Sequence, residues 1–581
     1  MKPGIPIRVW ISKQRWLVLV LFLSLGINTI AIGWGLPNGN ETWATDSLQP
    51  VTSLALVKRV FVDDSWNSGW FYFKYPLGHP LLLSAVQLPY VAWLWVTGEF
   101  KAPQPAYPYG FKDPEQALAV LALLARMVSA LMGVGVVLCA NVIGSILFGK
   151  RAGLVSAVLT TGCYPIVYFA HTSNVDVPAL FWTALAVAAV LVCADYGSRR
   201  AAVVAGLAAG MALFTKEQII GVLIALPVVW LLRLWGRGTL QSRESWKHVA
   251  TAGGMFLAVT VVAGNLWWNP AGFVNRWLFL LGMLPPEIRA KYAPYQFSLQ
   301  KPTGYSVTGE MTHLLNTLGN VVEGLTAPVA IFCVLGAAWA LWRYPRQAAV
   351  PLVLALSYYI FSLRSIVTLN VKYTIPLQYL LLILAGAAGG VLIDRISHAS
   401  GSVARAAATL LAVIVLGAAL LPGIDMDRLL ADDPRYAAEA WLQAHVPAGA
   451  QVETYQSPTR LPRFAPDVRV HYVPMEQRTH ELFERRRPNF VVLSSGAQVG
   501  LTHDRVADWA PGDSLFVHSE AAQQFFHRLR TEEIGYRRVA RFHTPIRWIT
   551  PPFGSVNPEI TIFARDRAQV TPAARSESTT S

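Results

Sequence analysis

WLVLVLFLSLGINTIAIGWGL, residues 16–36, runs directly into PNGNETWATDSLQPVTSLALVKRVFVDDSWNSGWFYFKYPLGH, residues 37–79. The first piece is long and apolar enough to cross a bilayer, which takes about 20 residues. The second therefore begins at a membrane face. It mixes acids (Glu41, Asp46, Asp63, Asp64), bases (Lys58, Arg59, Lys74, His79) and aromatic rings. A connector needs few residues, and longer loops are functional or disordered. This one is too aromatic for a disordered linker. It reads as the floor of an active site at the membrane surface.

The whole chain repeats that first impression. Of 581 residues, 54% are hydrophobic and only 14% charged, and the mean hydropathy is +0.40. A soluble domain is nearer a quarter charged. The net charge of +14 has a simpler cause than nucleic acid, because Lys and Arg collect on cytoplasmic loops and beside lipid phosphates. Cys139, Cys163, Cys193 and Cys333 all lie in apolar runs without metal-ligand spacing, so they read as small core hydrophobes. Arg8, Lys13 and Arg15 precede a run longer than a signal-peptide core, which predicts a retained anchor.

Further apolar runs occur at 80–97, 117–147, 152–170, 177–195, 201–214, 218–235, 248–268, 321–342, 348–366, 374–394 and 404–422. Basic residues follow or separate them at Lys150 and Arg151, Arg199 and Arg200, Arg233 to Lys247, Arg343 and Arg346, and Arg395 and Arg405. The positive-inside rule puts all of these on the N-terminal, cytoplasmic side. That requires one run not to cross. Run 80–97, with Pro80, Gln87, Pro89, Tyr90, Trp93 and Trp95, has the composition of an interfacial helix. The expectation is a polytopic α-helical protein of the plasma (inner) membrane with about 11 transmembrane helices. Its transmembrane domain spans 1–422, with outer loops at 37–116 and 269–320. Its N-terminus is cytoplasmic.

Between runs, the chain offers polar residues on the predicted outer side. Arg126 lies about two turns into its run and reads as paired, functional or snorkelling. HTSNVDVP, residues 171–178, sets His171, Asn174 and Asp176 in a tight turn, where Asp176 near Pro178 also fits a helix cap. Lys216 and Glu217 separate two short runs, and such a Lys can bind phosphate as a point charge. Arg364, Lys372 and Tyr373 face the same way. Beyond residue 422 the charges rise and long apolar runs stop. Helices at 433–447 and 520–530 alternate with strands at 451–455, 468–473, 489–495, 536–543 and 559–565. This predicts an extracytoplasmic α/β domain at 423–565 and a disordered tail at 566–581. No nucleophile elbow, phosphate loop, zinc spacing or dinucleotide fingerprint appears.

The pieces ATDS (44–47), KYPLGHPLLL (74–83), LLARMVSAL (123–131), SNVDVPALFW (173–182), FTKEQ (214–218) and NVKYTIPLQYLLLILAG (370–386) have a familiar order. Together they resemble the dolichyl-phosphate-mannose protein mannosyltransferase family, glycosyltransferase family 39. The lipid A aminoarabinose transferase belongs to the same C-type membrane superfamily. Where the eukaryotic mannosyltransferases carry Asp-Glu in the first loop, Asp46 here is followed by Ser47.

The resemblance implies an inverting glycosyltransferase of the cell envelope. Its donor would be a polyprenyl-phosphate-linked sugar and its acceptor a lipid, glycan or protein on the extracytoplasmic side. It implies a carboxylate base, Asp46, and a second catalytic carboxylate, Asp176, that would orient donor or acceptor or hold a metal with Asp46. Lys74, Lys216, Arg364 and Lys372 would bind the donor phosphate. Glu41, His79, His171, Asn174 and Tyr373 would contact substrate. A divalent cation would take oxygen ligands, but no multi-carboxylate cluster marks a site, and the metal stays open. Two rival classes are a transporter or flippase of an envelope precursor and a non-catalytic membrane scaffold. A transporter wants ionisable groups within its spans, whereas this chain keeps most of them in loops. Membrane lipids are expected partners, and nucleic acid is not.

Overall fold

A computed structural model describes residues 14–37, 42–44, 47–48, 50–61, 76–281, 283, 285–287, 306–366, 369–398, 401–474, 477–495, 520–549 and 553–566. The chain forms two compact units. The first comprises 1–32, 47–104 and 109–427, and the second 33–46, 105–108 and 428–581.

The first unit is helical: α1 (Arg15–Thr29), α2 (Thr52–Phe61), α3 (Gly78–Val96), α4 (Pro114–Phe148), α5 (Lys150–Thr161), α6 (Tyr164–Ala170), α7 (Asp176–Tyr196) and α8 (Arg199–Leu213). There follow α9 (Ile220–Gly236), α10 (Arg243–Val262), α11 (Pro270–Leu280), α12 (Val307–Leu325), α13 (Ala327–Arg343), α14 (Pro345–Phe361), α15 (Val371–His398) and α16 (Ser402–Ala431). Local chemistry sets several boundaries. Asp113 caps α4 by accepting from the Gln116 amide at 3.1 Å, with Pro114 at the first helical position, where a missing N–H costs nothing. Gly149, at φ +98°, ends it.

Among the described residues, six helices are long and apolar enough to cross a membrane, or up to eight if each of two bent pairs is one span. The bends explain part of the distance from the eleven expected spans. Run 152–170 breaks between α5 and α6 at 62°, where Pro165 lacks the N–H that a continuous helix needs. Run 321–342 breaks at Thr326, whose φ is +65°, and α12 and α13 meet there at 111°. Helix α12 thus claims the first residues of that run and extends it back into the predicted loop. Helices α1 and α8 have 15 residues each, about 22 Å at 1.5 Å per residue, less than the roughly 30 Å of a hydrocarbon core. Helix α3, with Pro89 inside it, is not among the six.

Helices approach closely through small residues. A Cβ added at Gly162 would lie 1.9 Å from the Ala419 carbonyl oxygen of α16, so only glycine fits between α5 and α6. The buried Arg126 is paired rather than snorkelling, because its Nη1 donates to the Ile32 carbonyl at 2.7 Å.

The second unit holds α17 (Pro434–His445), β1 (Gln451–Thr454), β2 (Arg469–Tyr472), α18 (His480–Arg486), β3 (Phe490–Ser494), α19 (Glu520–Arg530), β4 (Tyr536–Phe542) and β5 (Ile560–Arg565). The five strands form one sheet in the order β2-β1-β3-β5-β4. β1 pairs in parallel with β2 and β3, and β5 is antiparallel to β3 and β4. Side chains alternate across a strand, and central β3 is buried throughout. Val491 and Leu493 join a core with Phe483, Phe525 and Phe526. Phe490 and Val492 join the opposite one with Ala438, Leu442 and Ile562.

Residues 33–46 contribute two tryptophans to this unit. Arg435 is fully buried, pairs with Asp433 at 2.7 Å, and lies 4.1 Å from the Trp43 ring centroid. Trp34 Nε1 donates to the same Asp433 at 2.9 Å.

Gly162→Ala is expected to lower the thermal midpoint, through a clash worth about 1–3 kcal/mol. Gly253→Ala in α10, where an added Cβ meets nothing within 4 Å, should leave the midpoint unchanged or raise it. Differential scanning fluorimetry of the purified variants checks the pair.

Candidate functional site

At one end of the first unit, the turn 171–176 and the junctions α8–α9 and α14–α15 are tied together. The turn is anchored first. The Ser173 hydroxyl donates to the Leu48 carbonyl at 2.8 Å, and the Leu48 amide donates back to the Ser173 carbonyl at 3.1 Å. Asn174 Oδ1 accepts from the Asp176 amide at 2.8 Å. Asn174 therefore does the local backbone bonding, and Val175 is the N-cap residue. The Asp176 carboxylate is released from capping and turns to Lys216.

Lys216 is held in an extended conformation ahead of a single 3₁₀ turn, Glu217–Ile219. Its Nζ donates to Asp176 Oδ1 and sits 5.1 Å from the Tyr373 ring centroid. Asp176 is 6% exposed and Lys216 17%. Lys372 Nζ lies 5.1 Å from the same ring, so one aromatic ring meets two ammonium groups, a contact favoured by the ring quadrupole. The Tyr373 carbonyl accepts from Tyr358 OH at 2.8 Å.

Neighbouring bonds fix this loop on several helices. Glu217 pairs with Arg276 of α11. Ser362, after α14, accepts from the Gly221 amide at 3.1 Å and donates to the Gln218 carbonyl at 2.5 Å. The Gly78 amide donates to the Phe214 carbonyl at 2.7 Å, and a Cβ on Gly78 would lie 2.6 Å from that oxygen.

Thus Asp176, Lys216, Lys372 and Tyr373 come together. Arg364 pairs instead with Glu310 of α12 at 3.1 Å, while His313 Nε2 lies 3.0 Å from the adjacent Leu363 carbonyl. His171 is fully buried. Its Nδ1 is 2.8 Å from the Val167 carbonyl, its Nε2 faces the Ile30 carbonyl, and Asp427 is 3.3 Å away. His79 is buried too, and among the described residues neither ring nitrogen has a hydrogen-bond partner. Burial pushes its pKa down to about 3, so the imidazole is neutral. Glu41, Asp46 and Lys74 lie outside the described residues. Among the described residues no three His, Cys, Asp or Glu side chains gather as a metal site.

Sequence reasoning gave no role to Tyr358, Ser362 or Glu310. Tyr358 and Ser362 sit in an apolar run and carry no motif. Glu310 and Arg276 fall in the predicted loop 269–320, and nothing in their spacing names a partner.

Residues 119–268 match the family model described as dolichyl-phosphate-mannose-protein mannosyltransferase. Over that segment the chain is similar to these mannosyltransferases. The matched segment contains Asp176, Lys216 and Glu217. No curated protein matches the chain in sequence. Among solved structures, the Archaeoglobus fulgidus oligosaccharyltransferase tethered to an acceptor peptide is 12% identical. That match covers 96% of this chain and 89% of the other, with a TM-score of 0.47. ArnT from Cupriavidus metallidurans bound to undecaprenyl phosphate is 16% identical, covering 94% and 98%, with a TM-score of 0.41. The S. cerevisiae protein O-mannosyltransferase complex bound to the sugar donor is 15% identical, covering 49% and 37%, with a TM-score of 0.29.

The mannosyltransferase-like segment makes a direct prediction about its ion pair. In a double-mutant cycle of Asp176→Asn and Lys216→Met, thermal or denaturant unfolding should show a coupling of about 1–3 kcal/mol. Strict additivity would mean that the two side chains do not interact.

Proposed function

We propose that this protein is an inverting glycosyltransferase that moves a sugar from a polyprenyl-phosphate donor to a hydroxyl acceptor on the extracytoplasmic side of the membrane. The observation that carries the reading is the Asp176–Lys216 pair, within the matched segment, with Lys372 on the shared Tyr373 ring. A lipid-phosphate leaving group gains negative charge as the glycosidic bond breaks. Ammonium groups already fixed in place stabilise that charge without reorganising.

A carboxylate takes the proton from the acceptor hydroxyl. The oxygen attacks the anomeric carbon from the face opposite the phosphate. The carbon–oxygen bond to phosphate breaks and its electron pair stays on the phosphate. We assign the base to Asp46, in the first loop, and the leaving-group charge to Lys216 and Lys372, with Lys74 and Arg364 as further donor contacts. Asp176 positions Lys216. Glu41 and Tyr373 complete the substrate surface, and the buried His79, His171 and Asn174 support it from behind. In this reading the chain has eleven spans, a cytoplasmic N-terminus and an extracytoplasmic domain at 423–565, and the chemistry lies on the outer side.

The test is transfer by the purified, reconstituted protein supplied with a polyprenyl-phosphate sugar, followed by mass spectrometry of the lipid. Asp46→Asn should fold and lose activity by about 10²–10⁴-fold, and Lys216→Met by about 10²–10³-fold. Full turnover by Asp46→Asn removes that residue as base. Flux of a solute without consumption of donor lipid would replace transferase by transporter.

A further inference from the structure

The far ends of α9 and α14 carry a feature that the transfer reaction does not use. Helix α9 begins just after Lys216 and Glu217 and runs 17 residues, about 25 Å, to its basic end at Arg233 and Arg237. Helix α14 runs the other way, from Arg346 to the Ser362 that grips the α8–α9 loop. At their basic end the two helices border a cavity of about 690 Å³.

Its lining is graded along the helices. Arg233, Arg237 and Arg346 line the end nearest the helix termini. Val229, Val350 and Val353, one to two turns closer to the middle of the helices, line the rest. Trp235 and Leu232, 70% and 48% exposed, stand on the lining as well, and Trp prefers the bilayer interface. Two of the three guanidinium groups are set in place by Asp195 of α7. Arg233 reaches it at 2.5 Å and Arg237 at 2.9 Å, and its side chain is 3% exposed. One carboxylate against three guanidinium groups leaves the cavity positive.

We propose that this groove binds an anionic membrane phospholipid. Its phosphate lies against Arg233, Arg237 and Arg346, and the start of an acyl chain lies along Val229, Val350 and Val353. The order of charge and apolar surface matches the order within such a lipid. Planar guanidinium groups suit phosphate oxygens, and basic pockets between transmembrane helices take anionic headgroups. The site is one helix length away from the Asp176–Lys216 pair. It stands whether or not that pair performs sugar transfer.

The full chain, reconstituted in nanodiscs of phosphatidylglycerol and phosphatidylcholine in equal parts, is released into detergent for native mass spectrometry. Wild type should retain phosphatidylglycerol in preference to phosphatidylcholine. Arg237→Gln and Arg346→Gln should each weaken that retention about fivefold. Val353→Phe fills the apolar part without changing charge, and should also weaken it. Unchanged melting temperatures in zwitterionic detergent show that each variant is folded. Equal retention of the two lipids, or retention unchanged in all three folded variants, overturns the proposal. Displacement of the lipid signal by millimolar inorganic phosphate assigns the cavity to a free anion and overturns it equally.

Discussion

A carboxylate and an ammonium, Asp176 and Lys216, meet where the membrane-embedded helices run out, and much of the first unit is arranged so that they can. Both side chains are largely withdrawn from water. Desolvating either one alone would be costly, and the partner offsets that cost. The pair therefore binds the start of α7 to the junction of α8 and α9. The Tyr373 ring extends the link to α15, and Glu217 with Arg276 extends it to α11. Charge fixed in this way is already in position for a negatively charged ligand.

The membrane supplies the second constraint. Without water, each backbone polar group needs a partner inside the protein. Helix α1 stops at Thr29, and the carbonyls just beyond it at Ile30 and Ile32 would otherwise go unpaired. His171 and Arg126 meet those two groups. The Arg126 guanidinium is also favoured by the dipole at the helix C-terminus. Their placement explains two polar residues that an apolar context would make expensive. The break before Tyr164 follows the same rule, since Cys163 and Tyr164 are buried and irregular backbone at membrane depth survives where protein covers it.

The second unit uses a different device. Its sheet buries both faces, so β3 has no polar side chain until Ser494. Its buried Arg435 is compensated from several directions, by Asp433, by the Trp43 ring and by carbonyls at Thr459 and Ser555. A guanidinium has five donors and tolerates burial only when most of them are used.

The amino-acid sequence by itself determined the class of solvent, the apolar helices of the first unit, and the described helices and strands of the second unit except α18. Those features rest on local periodicity and composition, which are properties of short segments. It also singled out Asp176 and Lys216 as polar residues at the ends of apolar runs. Only the tertiary structure decided that these two bond to each other, that Asn174 rather than Asp176 serves the turn, and that Arg364 answers to Glu310. The same holds for the sheet order β2-β1-β3-β5-β4 and for the sharp bend at Thr326. Pairings between residues 40 or more positions apart depend on which helix ends are packed side by side. Packing is set by close contacts such as Gly162 against Ala419, and a linear pattern of apolar residues does not encode which partner a glycine will touch.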